Sequence, residues 1–236
     1  MGQNGVGEVD PPTPWERTDL ERIVADPVCH ERLGPELRSR FHWHCERVCP
    51  NGIHASCADP GAADAPEVCF WQTTFGLPLE LIESGQIVPS GQIAIGNFNY
   101  RHNLAGVNLV GTEVTSCEEV PGASCYGNGF AEYTLAHSGQ VKIRNWEGGT
   151  LDASMENAYI EHGKALAAER TITNPPTSAD MALLDSYMKG ELKGRPITGN
   201  YVLRIWDTPS LQWDHVEDIQ LVWKYHYWTR FEHSTR

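Results

Sequence analysis

The chain has no cysteine after residue 125, no basic stretch, no long apolar run and few charges for its length, 21%. Each shortage excludes something. A helix that crosses a bilayer needs about 18–20 consecutive apolar residues, and no such run occurs. Nucleic-acid binding needs a basic face to meet phosphates; here 18 basic residues stand against 31 acidic ones, a net charge of −13. The Gly-rich phosphate loops, the G-x-S-x-G elbow and the H-E-x-x-H zinc helix are all missing, which removes the usual signatures of nucleotide, acyl-transfer and zinc-protease chemistry. The adjacent pairs Glu161-His162 and Asp214-His215 are not dyads by themselves, because neighbours on a strand point to opposite faces. Residues 1–14 are polar, rich in Gly and Pro, and have no apolar stretch. They are not expected to act as a signal peptide, so an exported chain would have lost its signal or belong to a larger parent.

What is present is mostly β. With 236 residues the chain is long enough to bury a sizeable core. From residue 67 onward, short runs rich in Val, Ile, Tyr, Phe and Trp recur between Gly, Asn and Pro, the pattern of a sandwich or barrel. The runs cover 68–75, 77–83, 92–100, 104–110, 130–135, 141–146, 201–206 and 219–228. In the last, Ile219, Leu221, Trp223, Tyr225 and Tyr227 alternate with more polar neighbours, so one face is expected to meet the core. Tyr201, Leu203 and Ile205 follow the same rule. Thr177 and Asp180 resemble a capping box ahead of Met181, Leu184, Tyr187, Met188 and Leu192, which predicts one helix ended by Gly194 and Pro196. Residues 156–173 read as two strands. Before residue 67, segments 18–25 and 35–48 read as short helices with acids in their first turns. The expected architecture is all-β with minor α: an antiparallel, jelly-roll-like β-sandwich over 68–236 with one inserted helix. A disulfide-stapled helical and loop extension over 1–67 precedes it. Three copies of Ser-Gly-Gln-(Ile/Val), beginning at Ser84, Ser90 and Ser138, read as turns leading into strands, since glycine supplies the positive φ of tight turns.

The seven cysteines, Cys29, Cys45, Cys49, Cys57, Cys69, Cys117 and Cys125, set the compartment. Their crowding in loop-rich sequence predicts disulfides and an oxidising, secreted or cell-surface setting, and their odd number leaves one thiol over. Cys117 and Cys125 flank Pro121 and Gly122 between two predicted strands and form the best single candidate pair. His42, His44, Cys45, Cys49, His54 and Cys57 fall within 16 positions and offer zinc an N/S ligand set; disulfides are the competing use of the same cysteines. Asp207, Asp214, Glu217 and Asp218 crowd the turn before the last strand. Sandwich end-loops present such oxygens to calcium, although a solvated acidic turn reads the same way.

Eight Trp and eight Tyr in an acidic chain fit recognition of a glycan or a protein partner, where flat rings supply stacking area. Trp206, Trp213, Trp228 and Tyr126 fall near strand ends and are the candidate ligand contacts, whereas Trp71 and Trp223 lie inside apolar alternation and are expected only to pack. The functional expectation is a non-enzymatic exported binding module acting through its end-loops, without nucleic-acid partners. The rivals are a structural subunit of an assembly, joined through the odd cysteine or a strand edge, and a metal-dependent hydrolase using the acids near Asp207 or a zinc on His42, His44 and Cys45.

Over its last forty or so residues the sequence also resembles the carboxy-terminal end of the A component of toxin complexes. The likeness rests on Asp218, Ile219, Leu221, Tyr225 and Arg230, with looser matches at Pro196 and Tyr201. It covers about a sixth of the chain and implies a sandwich whose final strand is central or well paired. Pore formation is not implied.

Overall fold

The computed structural model describes residues 37, 39–47, 67–84, 97–114, 131–167, 171–173, 177–208 and 211–229. Among the described residues, eight strands and two α-helices follow in the order β1 (His42–Arg47), β2 (Glu67–Leu77), α1 (Leu79–Glu83), β3 (Asn97–Val110), β4 (Glu132–Arg144), β5 (Thr150–Lys164), β6 (Leu166–Ala167), α2 (Ser178–Tyr187), β7 (Gly199–Trp206) and β8 (Asp218–Thr229). A five-stranded sheet runs β1-β2-β7-β4-β5, and a three-stranded sheet runs β6-β3-β8. Every pairing is antiparallel except the short β3–β6 contact. The protein is thus all-β with minor α, as expected. The described strands establish two packed sheets and do not trace a jelly-roll connectivity.

Alternation decides which residues meet between the sheets. Tyr201, Leu203 and Ile205 of β7 are buried, with half-buried or exposed residues between them. They share one core with Trp71, Tyr133 and Leu135 of the same sheet and with Ala105, Val107 and Leu109 of β3. Ile219, Leu221, Trp223 and Tyr225 of β8 pack against that core, so the expected inward face of the last strand is the real one. The other face of β8 is covered by α2: Val222 joins a smaller cluster with Leu104, Leu183 and Tyr187 around buried Leu166, Ile172, Leu184 and Met188. Helix α2 begins at the predicted capping box. Thr177 Oγ1 accepts from Asp180 N at 3.2 Å, and Asp180 Oδ2 accepts from Thr177 N at 3.1 Å, satisfying two donors that a helix start would otherwise orphan. Of the two strands expected in 156–173, the first is the end of β5; the second is not at 171–173, which are irregular, but at Leu166–Ala167 as β6.

Several elements differ from the sequence reading. Residues 42–47 are strand, not helix, and pair with β2. Trp43 is buried in the core while His42 is exposed, a period of two that marks a strand. The Cys45–Cys69 disulfide joins directly opposed residues of β1 and β2. Residues 79–83 form helix α1 instead of strand. Pro78 ends β2 because it has no N–H for the ladder, and its fixed φ suits a helix start. The runs 104–110 and 92–100 contribute to one strand, β3, from Asn97 onward, and 130–135 and 141–146 to one strand, β4. In β4 the Ser138-Gly139-Gln140 repeat is not a turn. Gly139 has φ 82° and sits at an irregularity in the β4–β5 ladder, so its positive φ serves a bulge in mid-strand. In the repeat beginning at Ser84 only the serine is described, and the repeat beginning at Ser90 lies outside the described residues.

A polar network threads the apolar core. His102, His137 and Tyr201 are all essentially unexposed. Tyr201 Oη donates to the Ile197 carbonyl at 2.7 Å and lies 2.7 Å from His102 Nε2; since that carbonyl takes the phenol proton, His102 Nε2–H donates to the tyrosine oxygen. The Thr198 carbonyl can only accept, so His137 Nε2–H donates to it at 2.9 Å, and His137 Nδ1 accepts from Arg195 Nε at 3.3 Å. Burial, more than neighbouring charge, lowers the His102 pKa to about 3 and the His137 pKa to about 4, keeping both rings neutral.

Candidate binding cleft

The two ends of the sandwich are built differently, and the predicted site residues fall at both. At the end that holds the 207–217 turn, Trp213 is buried, 2% exposed. Its ring sits 6.0 Å from that of Trp71, and its Nε1 donates to Asp207 Oδ1 at 2.7 Å. Trp213 is therefore a core anchor and not a ligand contact, and Asp207 is its hydrogen-bond acceptor. The other acids of the proposed calcium set do not join Asp207. Asp214 is exposed beside His215, Glu217 is exposed, and Asp218 Oδ1 accepts from the Ile219 N–H at 2.8 Å. Among the described residues no three His, Cys, Asp or Glu side chains converge as metal ligands. Cys45 is in a disulfide, so it cannot supply the thiolate of a zinc site with His42 and His44. His44 instead stacks on Phe70 at 5.6 Å, and burial first, then Arg204 and His42, lower its pKa to about 4. Trp206 is half-buried, edge-on to the same Phe70 at 4.7 Å. Tyr126, Cys117, Cys125, Cys49, His54 and Cys57 lie outside the described residues.

The opposite end carries a cleft of about 230 Å³. One wall is the β2–α1 elbow from Gly76 to Glu80; the other is Gln140, Val141 and Lys142 of β4 with Asp152 of β5; Thr198, Gly199 and Asn200 complete it. Because Tyr201 faces the core, Asn200 faces the outer side of the five-stranded sheet, and the cleft opens there. Its parts are held by backbone geometry. Thr198 is buried, and its Oγ1 accepts from Lys142 N at 3.1 Å and donates to Lys142 O at 2.8 Å. The Asn200 amide lies flat beside two glycines: a Cβ on Gly139 would stand 2.5 Å from Asn200 Nδ2, and one on Gly76 would stand 3.5 Å from Asn200 Oδ1. At 139 only a residue without a side chain leaves that amide its place, whereas at 76 a Cβ would make ordinary contact.

Two ion pairs tie α1 to β4. Arg144 grips Glu83 with two bonds, Nε to Oε1 at 2.5 Å and Nη2 to Oε2 at 2.7 Å. Lys142 Nζ reaches Glu80 Oε1 at 3.3 Å across the cleft. The Glu80 carboxyl is held below its usual range by a backbone hydrogen bond first and by Lys142 second. Asp152 pairs in register with Lys142 across β4–β5, so the cleft is lined by two acids and one lysine. A ligand that is neutral or cationic suits that balance better than an anion. Rings crowd the same end. Tyr100 lies 6.1 Å from Tyr225 and 5.7 Å from Tyr227, and burial, then the Glu83 charge, push its pKa up to about 12. Trp146 in the β4–β5 turn and Trp228 on β8 are 65% and 62% exposed.

The sequence reading missed Glu80, Gln140, Lys142, Asp152 and Asn200. The one available signal was the Gly139-Gln140 repeat unit, whose bulge puts both residues beside the cleft. Trp228 is the predicted contact that does lie at this end. No family model matches the chain, and neither a curated protein nor a solved structure matches it.

Proposed function

We propose that this chain is a non-enzymatic binding module, exported, that recognises a hydroxyl-rich glycan unit at the α1 end of its sandwich. The observation that carries this reading is the cleft itself. Asn200, Gln140 and Asp152 present amide and carboxylate groups from strand positions, with no hydrogen-bond partner for their side chains among the described residues. Paired donors and acceptors on a rigid scaffold fit adjacent hydroxyls, and rigid placement lowers the entropy lost on binding. At about 230 Å³ the cleft is smaller than the ~300–1,000 Å³ usual for small-molecule pockets. It takes one unit of a longer chain, and exposed Trp146 and Trp228 supply stacking area for further units. The Cys45–Cys69 disulfide supports an oxidising compartment.

The test is a glycan array followed by calorimetry on the best hit. Asn200→Ala and Asp152→Asn are each expected to weaken binding about tenfold, the loss of a hydrogen bond to a polar ligand group, with the melting temperature little changed. Measurable hydrolysis of the glycan without stable binding would replace the module with an enzyme.

A further inference from the structure

The two edges of the five-stranded sheet are unlike. Strand β1 has six residues and is tied to β2 by a disulfide. Strand β5 has fifteen, the longest of the described strands, and among them pairs only with β4. An edge strand offers a row of unpaired N–H and C=O groups, and proteins blunt such edges with short strands, proline, lysine or a covering segment. In β5 there is no proline, the one lysine is the final residue, and every residue except Met155, Glu161 and Gly163 is exposed. The sheet opposite has three strands against five, so β5 overhangs it. Leu151 and Tyr159 share the inward-facing row of β5 with buried Glu161, yet are 57% and 50% exposed, and Ile160 on the other row is 45% exposed.

Charge runs along this edge in one direction. Asp152 and Glu156 lie in its first half, and His162 and Lys164 in its last. The Arg195 guanidinium sits at the middle of the edge, 5.1 Å from the Tyr159 ring and with Nη2 2.6 Å from Met155 Sδ, and belongs to neither half. Glu191 offsets part of the basic half, its Oε2 lying 3.6 Å from His162 Nδ1 and accepting the His162 backbone N–H at 2.7 Å, a bond that a docking strand would displace. The ladder irregularity between Met155 and Tyr159 divides the edge into two segments. We infer that a second copy of this chain docks here, β5 antiparallel to β5, with the first segment of each strand facing the last segment of the other. The two five-stranded sheets then run on as one. Antiparallel pairing sets acid against base at both ends, whereas parallel pairing sets like against like, which destabilises cross-strand neighbours. A two-fold axis through the irregular middle makes the contact self-complementary.

Light scattering coupled to size exclusion tests this on the full chain. The native protein is expected at twice the mass of one chain, and as single chains on a non-reducing denaturing gel. Asp152→Lys with Glu156→Lys makes the whole edge basic and is expected to give a single-chain mass. His162→Glu with Lys164→Glu makes it acidic and is expected to do the same. Mixing the two variants restores opposite charges and should return the double mass. That recovery separates a lost interface from a lost fold. A native protein that is monomeric at all concentrations, variants that stay dimeric, or a mixture that remains monomeric would each overturn the proposal.

Discussion

The two ends of the sandwich use the same residue types for opposite purposes. At the end of the 207–217 turn, a tryptophan is buried and an aspartate accepts its N–H. At the α1 end, tryptophans are exposed and the polar groups line a cleft. The difference teaches that a tryptophan beside an acid near a strand end has two outcomes, and what decides is whether the turn folds back over the core. The 207–217 turn does so through Gln212 N to the Val114 carbonyl and Glu217 N to the Val110 carbonyl, each at 2.8 Å. That closes the end and spends its polar groups.

The contrast can be broken most sharply at Trp213. Trp213→Ala is expected to cost about 3–5 kcal/mol, the range for emptying a buried aromatic site, read as a shift in urea midpoint with ligand binding at the other end unchanged. If the loss were below about 1 kcal/mol, Trp213 would not be the anchor of a closed end.

Next in size is the pH dependence of the core between the ends. Glu161 has no exposure, and Tyr133 Oη donates to its Oε1 at 3.1 Å. Burial raises its pKa to about 7, against hydrogen bonds from Tyr133 and the Leu192 backbone. A carboxyl raised on folding contributes stability below about pH 4.5 that is lost as pH rises through 7. His102 and His137, lowered to about 3 and 4, do the reverse: their contribution is present above about 6.5 and lost as pH falls through 4. His44, also lowered to about 4, acts in the same direction; three groups outweigh one, so stability is expected to fall as pH drops from 6.5 to 4.5. Glu161→Gln removes the opposing group and should steepen that fall by roughly 1.4 kcal/mol per pH unit, measured by urea titration at fixed pH values. A shallower slope in the variant would contradict a neutral buried Glu161.

Asp207→Ala leaves the Trp213 indole N–H without its acceptor and is expected to cost about 1–3 kcal/mol. A chelator titration of the native protein should then leave its melting temperature unchanged, since among the described residues the other acids of the turn do not converge on Asp207. The smallest effect belongs to the open end: Trp146→Ala and Trp228→Ala should each change stability by no more than about 0.5 kcal/mol while weakening glycan binding. A loss of stability comparable to that of Trp213→Ala would show that the two ends are alike after all.

How much of this the sequence carried depends on the range of the cause. The inward row of β8 and the alternation of β7 were legible because one residue in two must be apolar when only one face is buried. The α2 start was legible because a capping box is local. Strand β1 was not: its pairing partner lies some 25 residues on, and its composition around Trp43 carries no strand preference strong enough to outvote the acid-led helix reading. The continuity of β4 was hidden by Gly139, which looks like a turn when the neighbouring strand that accommodates the bulge is unknown. The cleft was illegible for the same reason, since Asn200, Lys142 and Asp152 come from three strands and meet only through their register. Trp213 was placed correctly at a strand end, but nothing local says whether such an end is open.

Strand β7 lies at the centre of the larger sheet, between β2 and β4, yet only β8 follows it in the described chain. A ribosome delivers it late. Until it emerges, the β1–β2 ribbon and the β4–β5 hairpin have no common neighbour, and each shows a raw flank where β7 belongs. Partners in β2–β7 stand more than 120 positions apart, as Leu77 and Gly199 do, so closing this sheet is a slow, long-range step. Nascent or truncated chains that stop before residue 199 should therefore be clients of chaperones and prone to clump, because the keystone of the wall is laid after its sides.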